Sequence, residues 1–129
     1  MKIKEVQISN FRAFNDVKSS TFNFLNSKDE ISDLISIYAP NGFGKTSFYD
    51  AVEWGVTGKI ERFDLVGDFD KTRKENKKGG NKNILQHIGA TENGFVKVIT
   101  ENATFAENIT NTEYNHKKEP KNKFFRDVI

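Results

Sequence analysis

A glycine-rich segment followed by a lysine and a threonine stands at residues 39–46, with the sequence Ala-Pro-Asn-Gly-Phe-Gly-Lys-Thr. Its spacing is that of a phosphate-binding loop, although the first position holds alanine where glycine is usual. Gly42 and Gly44 let the backbone curl so that consecutive N–H groups point at phosphate oxygens. Lys45 can then reach the β- and γ-phosphates of a nucleotide, and the Thr46 hydroxyl is a hard oxygen ligand suited to Mg²⁺. The segment therefore predicts a site for a nucleoside triphosphate with magnesium.

Two elements must flank this segment if it is to hold phosphate. The residues from Leu34 to Tyr38 are rich in β-branched and aromatic side chains, which predicts a central strand that stops at Pro40. After the segment the spacing of apolar residues changes to three and four, which predicts a helix that starts at Thr46 and ends at Gly58. Its apolar positions are Phe48, Ala51, Val52 and Val56. Such a helix would present its positive end to the same anion.

The rest of the chain predicts a group of short strands. Residues 3–8 alternate as a half-buried strand with a one-residue slip after Ile3, and residues 21–24 alternate as a second strand that pairs with the first. A later strand is predicted at 95–99, and a short element at 84–88. The order is typical of an α/β fold, with a mixed sheet, an attached antiparallel strand group and a P-loop helix.

Composition limits the kind of protein. The chain has 129 residues, enough for one domain, and no cysteine, which excludes a disulfide framework, a thiolate zinc site and a cysteine nucleophile. Neither a membrane-spanning run nor a signal peptide is visible, so we expect a cytoplasmic protein with no membrane partner. Hydrophobic residues make up only 36% of the chain against 29% charged, which predicts that part of it does not fold alone. The polar, basic stretch at about 68–83 predicts a flexible loop.

Two separated segments resemble the amino-terminal part of an SMC-like ABC ATPase head, the group that includes RecF, RecN and SbcC. They are KIKEVQISNFRAF at the start and YAPNGFGKTSFYDAVEWGVTG around the glycine-rich segment. The resemblance implies that residues 1–129 are the amino-terminal lobe of a head, a partial domain that binds ATP and Mg²⁺. It implies that Lys45 is the catalytic residue and Thr46 the magnesium ligand. The nucleotide contacts that it implies are Arg12, Asn41, Gly42, Phe43, Gly44, Lys45, Thr46 and Ser47.

The groups that activate water are missing from the sequence. No run of four apolar residues ends in Asp-Glu, and no Ser-Gly-Gly signature is present. In the family that the chain resembles, a carboxy-terminal lobe supplies both, and two heads pair around two ATP molecules. The expected partners are therefore that lobe and a second head in an ATP-dependent dimer. The expected activity of the whole protein is ATP hydrolysis coupled to DNA repair, maintenance or defence, and this chain alone is expected to be inactive.

Several other residues that could do chemistry have plainer interpretations. Asp50 and Glu53 on the predicted helix are interpreted as surface or capping carboxylates rather than as a catalytic base. Trp54 is interpreted as a packing residue. His87 and His116 are isolated in the sequence, and a metal site built from two such distant histidines is not expected.

Two basic runs, at 71–82 and 117–126, are interpreted as solvated loops. The open alternative is that one of them contacts the phosphates of double-stranded DNA, with association with the nucleoid.

Other classes of P-loop protein also stay open. A small nucleotide kinase would need acceptor-site arginines and a lid. A GTPase would need an Asn-Lys-x-Asp motif, which the sequence at 81–83 begins but does not complete. A nucleotide-binding module without catalysis would keep the loop alone.

Overall fold

The computed structural model describes a small sheet with one helix packed against it. The residues that it describes are 2–18, 20–40, 44–61, 63, 85–87, 90, 92–110, 114 and 117–123. The elements in chain order are strands β1 (Ile3–Ser9) and β2 (Thr21–Asn23), helix α1 (Lys45–Thr57), and strands β3 (Gly94–Thr100) and β4 (Thr104–Ile109). Among these residues no helix has the length and apolar character needed to cross a membrane.

The four strands form one sheet in the order β2-β1-β3-β4, and each pairing is antiparallel. Val6 of β1 lies opposite Phe22 of β2 on one side and opposite Val98 of β3 on the other. The pairing of β1 with β3 shifts register between Ile3 and Glu5. The slip that the sequence predicts after Ile3 is thus confirmed, as is the pairing of β1 with β2.

One face of the sheet is covered by α1. Val6 and Ile8 of β1 and Val96 and Val98 of β3 are buried, because side chains two apart on a strand point to the same face. A Cβ placed on Gly55 of α1 would lie 2.8 Å from Cγ1 of Val96. The helix backbone therefore lies directly on β3, and this close approach needs glycine.

Strand β4 is an edge strand that the sequence analysis did not identify. It pairs with β3 along its whole length, from Thr104 opposite Ile99 to Ile109 opposite Gly94. Its burial alternates: Phe105 and Glu107 are half-buried and Ile109 is buried, whereas the residues that precede each of them are exposed. One of the half-buried positions holds a charged residue, Glu107, where an apolar residue is usual. Its carboxylate pairs with Lys118 and Lys121 instead of packing in the core. A pattern based on hydrophobicity alone therefore misses it.

The central strand predicted at 34–38 is wrong. These residues have no regular secondary structure, and Leu34 and Tyr38 are 87% and 92% exposed. A strand needs a neighbour that pairs with its N–H and C=O groups, and none of the described strands lies beside this segment. The mixed sheet is likewise replaced, among the described residues, by an antiparallel one. The proposed basic loop at 68–83 lies outside the described residues, as do parts of the short element at 84–88.

Candidate functional site

Helix α1 begins directly after a left-handed glycine. Gly44 is its N-cap, with φ 94° and ψ 11°, and the Gly44 carbonyl accepts the first helical hydrogen bond from the N–H of Phe48 at 2.8 Å. A side chain at this φ is strained, whereas glycine adopts it freely. The helix and its terminating glycine, Gly58, are predicted from the sequence, and the helix bounds are confirmed to within one residue, with Gly58 as the C-cap at φ 69°.

The first turn of α1 carries three of the predicted ligands. Lys45 and Thr46 are exposed, and Ser47 is half-buried. No acidic residue lies in this turn, and in the part of the chain that the structure describes no side chain caps its N–H groups. Free N–H groups at a helix start and the helix dipole together favour an anion. This end of α1 is therefore positively polarised and open to solvent.

A tight turn from Asn10 to Asn15 lies against this end of the helix. Phe11 and Phe14 exchange two backbone hydrogen bonds of 2.8 Å, and the N–H of Asn10 donates to the carbonyl of Asn15. A Cβ placed on Gly44 would lie 3.5 Å from Cβ of Ala13 and 3.6 Å from Cζ of Phe14. The turn that carries Arg12 is thus in van der Waals contact range of the helix N-cap.

Aromatic rings join the turn, the sheet and the helix into one unit. The rings of Phe14 and Phe22 meet edge to face at 5.8 Å, and those of Phe22 and Phe48 at 4.9 Å. Phe24 approaches Phe48 in the same manner at 6.3 Å. Such pairs have a preferred geometry as well as buried area. The cluster therefore fixes the first turn of α1 relative to β2 and to the turn at Arg12.

Arg12 is held from several sides. Its guanidinium lies over the ring of Phe63, 5.4 Å from the centroid. Its N–H donates to the carbonyl of Leu85 at 2.8 Å, and its own carbonyl accepts from Nδ1 of His87 at 2.6 Å. His87, which looks isolated in the sequence, is 75 positions from its partner. Neither spacing nor composition signals a contact of this kind, so the sequence does not predict it.

An apolar cavity of about 350 Å³ opens beside the first turn of α1. Lys45 lies on its wall, at the border between this apolar surface and the polarised helix end. The other residues that line it are Ile3, Phe24, Ile35, Ile37, Phe48, Tyr49 and Val52. Part of the wall is thus contributed by the exposed segment 34–38.

The remaining predicted residues have mixed outcomes. Asn41, Gly42 and Phe43 lie outside the described residues, and so does His116. Asp50 and Glu53 are not surface carboxylates: they are 0% and 5% exposed. Glu53 does cap, because its carboxylate accepts from the N–H of Glu61 at 2.6 Å. All residues of α1 from Asp50 to Thr57 are buried, so the helix is covered on more than the face that packs on the sheet.

Trp54 is buried in the core, which confirms its interpretation as a packing residue. Its ring contacts that of Tyr114 at a centroid distance of 6.2 Å, and the Lys118 ammonium lies 5.6 Å from the Trp54 ring.

Within the described residues, no group of three or more metal-ligating side chains is present.

A family model described as an AAA domain matches residues 5–128 of the chain. The match includes the turn at Arg12, the glycine-rich segment, α1 and strands β2 to β4. No curated protein and no solved structure matches the chain significantly.

Proposed function

The chain belongs to the AAA domain family, the P-loop ATPases found in SMC- and RecF-like proteins, and from this premise we propose that it is the Mg-ATP-binding amino-terminal lobe of an SMC-like ATPase head. The family supports nucleotide binding in general and ATPase activity in the protein that contains this domain. The proposal adds the residues that bind, the partners that complete the enzyme and the process that it serves.

The polarised start of α1 is the observation that carries the proposal. Gly44 has a left-handed backbone conformation, which glycine adopts readily, and the helix that follows has no acidic residue in its first turn. A triphosphate seated there would accept hydrogen bonds from the free N–H groups. Lys45 would neutralise charge between the β- and γ-phosphates, and Thr46 would bind Mg²⁺.

The donor set fits magnesium and ATP. Thr46 offers an exposed hydroxyl oxygen, and Mg²⁺ is usually held by one or two protein oxygens together with substrate phosphates. When bound, the metal would offset the negative charge of the phosphates. The chain's own contribution is to hold and orient the phosphates with backbone N–H groups of residues 41–47, with Lys45 and, from the neighbouring turn, with Arg12.

The catalytic step requires groups from elsewhere in the protein. Asp50 and Glu53 lie near the glycine-rich segment in sequence, but both are buried along α1, and Glu53 is engaged with Glu61. A carboxylate that activates water must reach solvent at the phosphate end. We therefore assign that role to a carboxy-terminal lobe, which would also supply a signature motif to a second head.

The exposed segment 34–38 supports a partner lobe. Leu34, Ile35, Ile37 and Tyr38 are exposed in a continuous run directly before the glycine-rich segment. Contiguous exposed apolar surface typically marks an interface. Pairing of this segment with strands of the carboxy-terminal lobe would bury the run and fix the approach to the phosphates.

Head pairing and contact with double-stranded DNA are further parts of the proposal. The candidates for contact with the DNA phosphates are the two basic runs at 71–82 and 117–126.

Binding of a fluorescent ATP analogue tests the phosphate site. The Lys45→Ala variant should bind about 10- to 100-fold more weakly, because a charged hydrogen bond is lost. Exposed Lys28 lies outside the first turn and serves as the matched control, and Lys28→Ala should bind as the wild type does. In the Thr46→Ala variant, Mg²⁺ should raise the affinity less than it does in the wild type. Equal affinity of wild type and Lys45→Ala would contradict the proposal.

Measurement of phosphate release tests whether the catalytic groups come from the carboxy-terminal lobe. The isolated chain should release no more phosphate from ATP than its Lys45→Ala variant does. Addition of the carboxy-terminal lobe should restore turnover in the wild type alone. Steady turnover by the pure isolated chain, absent in Lys45→Ala, would show that the chain holds its own catalytic carboxylate.

A further inference from the structure

The backbone at Arg12 has a conformation that arginine rarely adopts. Its φ is 46°, and that of Asn10, two residues earlier, is 50°. Positive φ is unfavourable for a residue with a long side chain, so surrounding contacts must hold it there. The conformation decides in which direction the Arg12 side chain leaves the turn.

Residues 85–87 supply those contacts. Arg12 donates its N–H to Leu85 and accepts at its carbonyl from His87, so both of its backbone polar groups are bonded to this short segment. The N–H of His87 also donates to the carbonyl of Asn10 at 3.1 Å. Because a carbonyl oxygen can only accept, the ring nitrogen Nδ1 of His87 must carry the proton. The segment thus fastens the turn on both sides of the strained residue.

The fastened turn bears on the start of α1. Phe11 is fully buried in the core, and Ala13 and Phe14 lie against Gly44. A shift of the turn would therefore move the Arg12 side chain relative to the helix N-cap. The packing transmits any loosening at His87 to the phosphate end of the helix.

We propose that His87 is a positioning residue: the hydrogen bond from its Nδ1 to the Arg12 carbonyl holds Arg12 in the orientation in which it contacts the phosphates of the bound nucleotide. The inference rests on the proposed function, since it assigns Arg12 to the same phosphate site. It adds a residue that lies outside the glycine-rich segment and that touches no part of the nucleotide itself.

Side-chain geometry provides a matched pair of variants. The amide N–H that His87→Asn introduces can take the place of Nδ1–H, whereas the amide that His87→Gln introduces lies one carbon further from the backbone. In the full protein that contains this chain, His87→Ala should weaken binding of a fluorescent ATP analogue by about tenfold, the effect of one lost hydrogen bond. His87→Asn should bind within about threefold of the wild type, and His87→Gln should resemble His87→Ala. The control is Gln86→Ala, a change at the residue just before His87. This variant should bind the analogue as the wild type does, because the backbone bridge between residue 86 and Phe11 remains.

A double-mutant cycle separates positioning from a general structural role. If His87 acts through Arg12, then His87→Ala should weaken binding no further in an Arg12→Ala background. Additive losses, or equal affinity of His87→Asn and His87→Gln, would overturn the inference. Unchanged affinity in Arg12→Ala with lost binding in Lys45→Ala would overturn it while leaving the proposed function intact. Unchanged affinity in Lys45→Ala would remove the proposed function instead.

Discussion

At the scale of single residues, two glycines with left-handed backbones bound α1, and their surroundings differ. A Cβ at Gly44 would meet Ala13 and Phe14 at ordinary contact distances of 3.5 and 3.6 Å. At Gly58 it would meet Nζ of Lys118 at 3.0 Å and Oε1 of Glu107 at 3.1 Å. The constraint at Gly44 is therefore one of backbone conformation, whereas at Gly58 crowding is added to it.

The first prediction concerns Gly44. Gly44→Ala should lower the free energy of unfolding by about 1 kcal/mol, because the left-handed backbone is unfavourable for alanine. Asparagine tolerates this conformation better, so Gly44→Asn should cost less than Gly44→Ala. Urea unfolding of both variants measures the difference. If Gly44→Asn were the less stable of the two, crowding rather than φ would control this position.

At the scale of elements, the contact of α1 with β3 depends on the missing side chain at Gly55. A Cβ there would approach the methyl groups of Val96 and Val98 to 2.8 and 3.0 Å. Both valines are fully buried and have restricted rotamers, so neither can move aside easily. The sheet and the helix fit each other at this point without spare volume.

The second prediction tests that fit. Gly55→Ala should lower the free energy of unfolding by about 1 to 3 kcal/mol through overpacking, although alanine is the better helix former. Adding Val96→Ala should relieve the overlap. The double variant should then be more stable than the sum of the two single effects by at least about 1 kcal/mol. Strict additivity in urea unfolding would show that the helix shifts instead of clashing.

The third prediction concerns the ion pair of Lys2 and Asp33, which ties the chain just before the exposed segment to the start of β1. A hydrogen bond and the charge of Lys2 lower the pKa of Asp33, and the same contact raises the pKa of Lys2. A lowered carboxyl pKa stabilises the fold above the group's ordinary pKa of 3.8, and this stabilisation is lost as pH falls through the lowered pKa. The raised pKa of Lys2 stabilises the fold below the ordinary lysine pKa of 10.5, and this stabilisation is lost as pH rises through the raised pKa.

Comparison with Asp33→Asn measures this contribution. At neutral pH the wild type should have a slightly higher urea midpoint than the variant, because both partners are exposed and the pair is weak. The difference should disappear once the pH is below the lowered pKa of Asp33, and also at about 1 M salt, where charges are screened over about 3 Å. A difference that survives at low pH would come from the asparagine itself rather than from the ion pair.

At the scale of the whole molecule, the described residues form a core with one apolar run left outside it. The fourth prediction is that Leu34→Ser with Tyr38→Ser leaves the free energy of unfolding of the isolated chain within about 0.5 kcal/mol of the wild type, as expected for exposed sites. Val6→Ser, a change at a fully buried site, should be strongly destabilising and serves as the control. The same double variant should fail to copurify with the carboxy-terminal lobe. Normal copurification would place that interface elsewhere.

Local patterns predict much of this molecule because their physical causes are local. Alternation at residues 3–8 gives β1 and even its slip at Ile3, and the change of period after residue 46 gives α1 with its terminal glycine. The error at 34–38 has a different origin: apolar composition shows that a segment needs burial but does not say what covers it. Strand β4 escapes prediction because Glu107 stands at a half-buried position where an apolar residue is usual, and its carboxylate pairs with Lys118 and Lys121 of a later segment.

In the candidate site, too, some residues are predicted by local sequence patterns and others depend on the tertiary fold. Lys45 and Thr46 are predicted from the spacing of the glycine-rich segment, since the chemistry of phosphate binding fixes which residues stand together in sequence. The contact of Arg12 with His87 depends on where two distant segments meet in space. Hydrogen bonds of that kind follow from the tertiary fold, and no spacing rule reveals them.

The far end of α1 has a consequence for the order in which the protein is made. The side-chain amide of Asn122 donates to the carbonyl of Val56 at 2.9 Å, across 66 positions, and the N–H of Lys121 donates to the carbonyl of Thr57. At about 5 to 20 residues per second, a ribosome needs about 3 to 13 seconds to add those positions. During that interval the carbonyls of Val56 and Thr57 lack these two donors, while the Gly58 N–H already closes the last turn on the Trp54 carbonyl. The hydrogen bonds at this end of α1 are therefore completed only after every strand of the described sheet has been made.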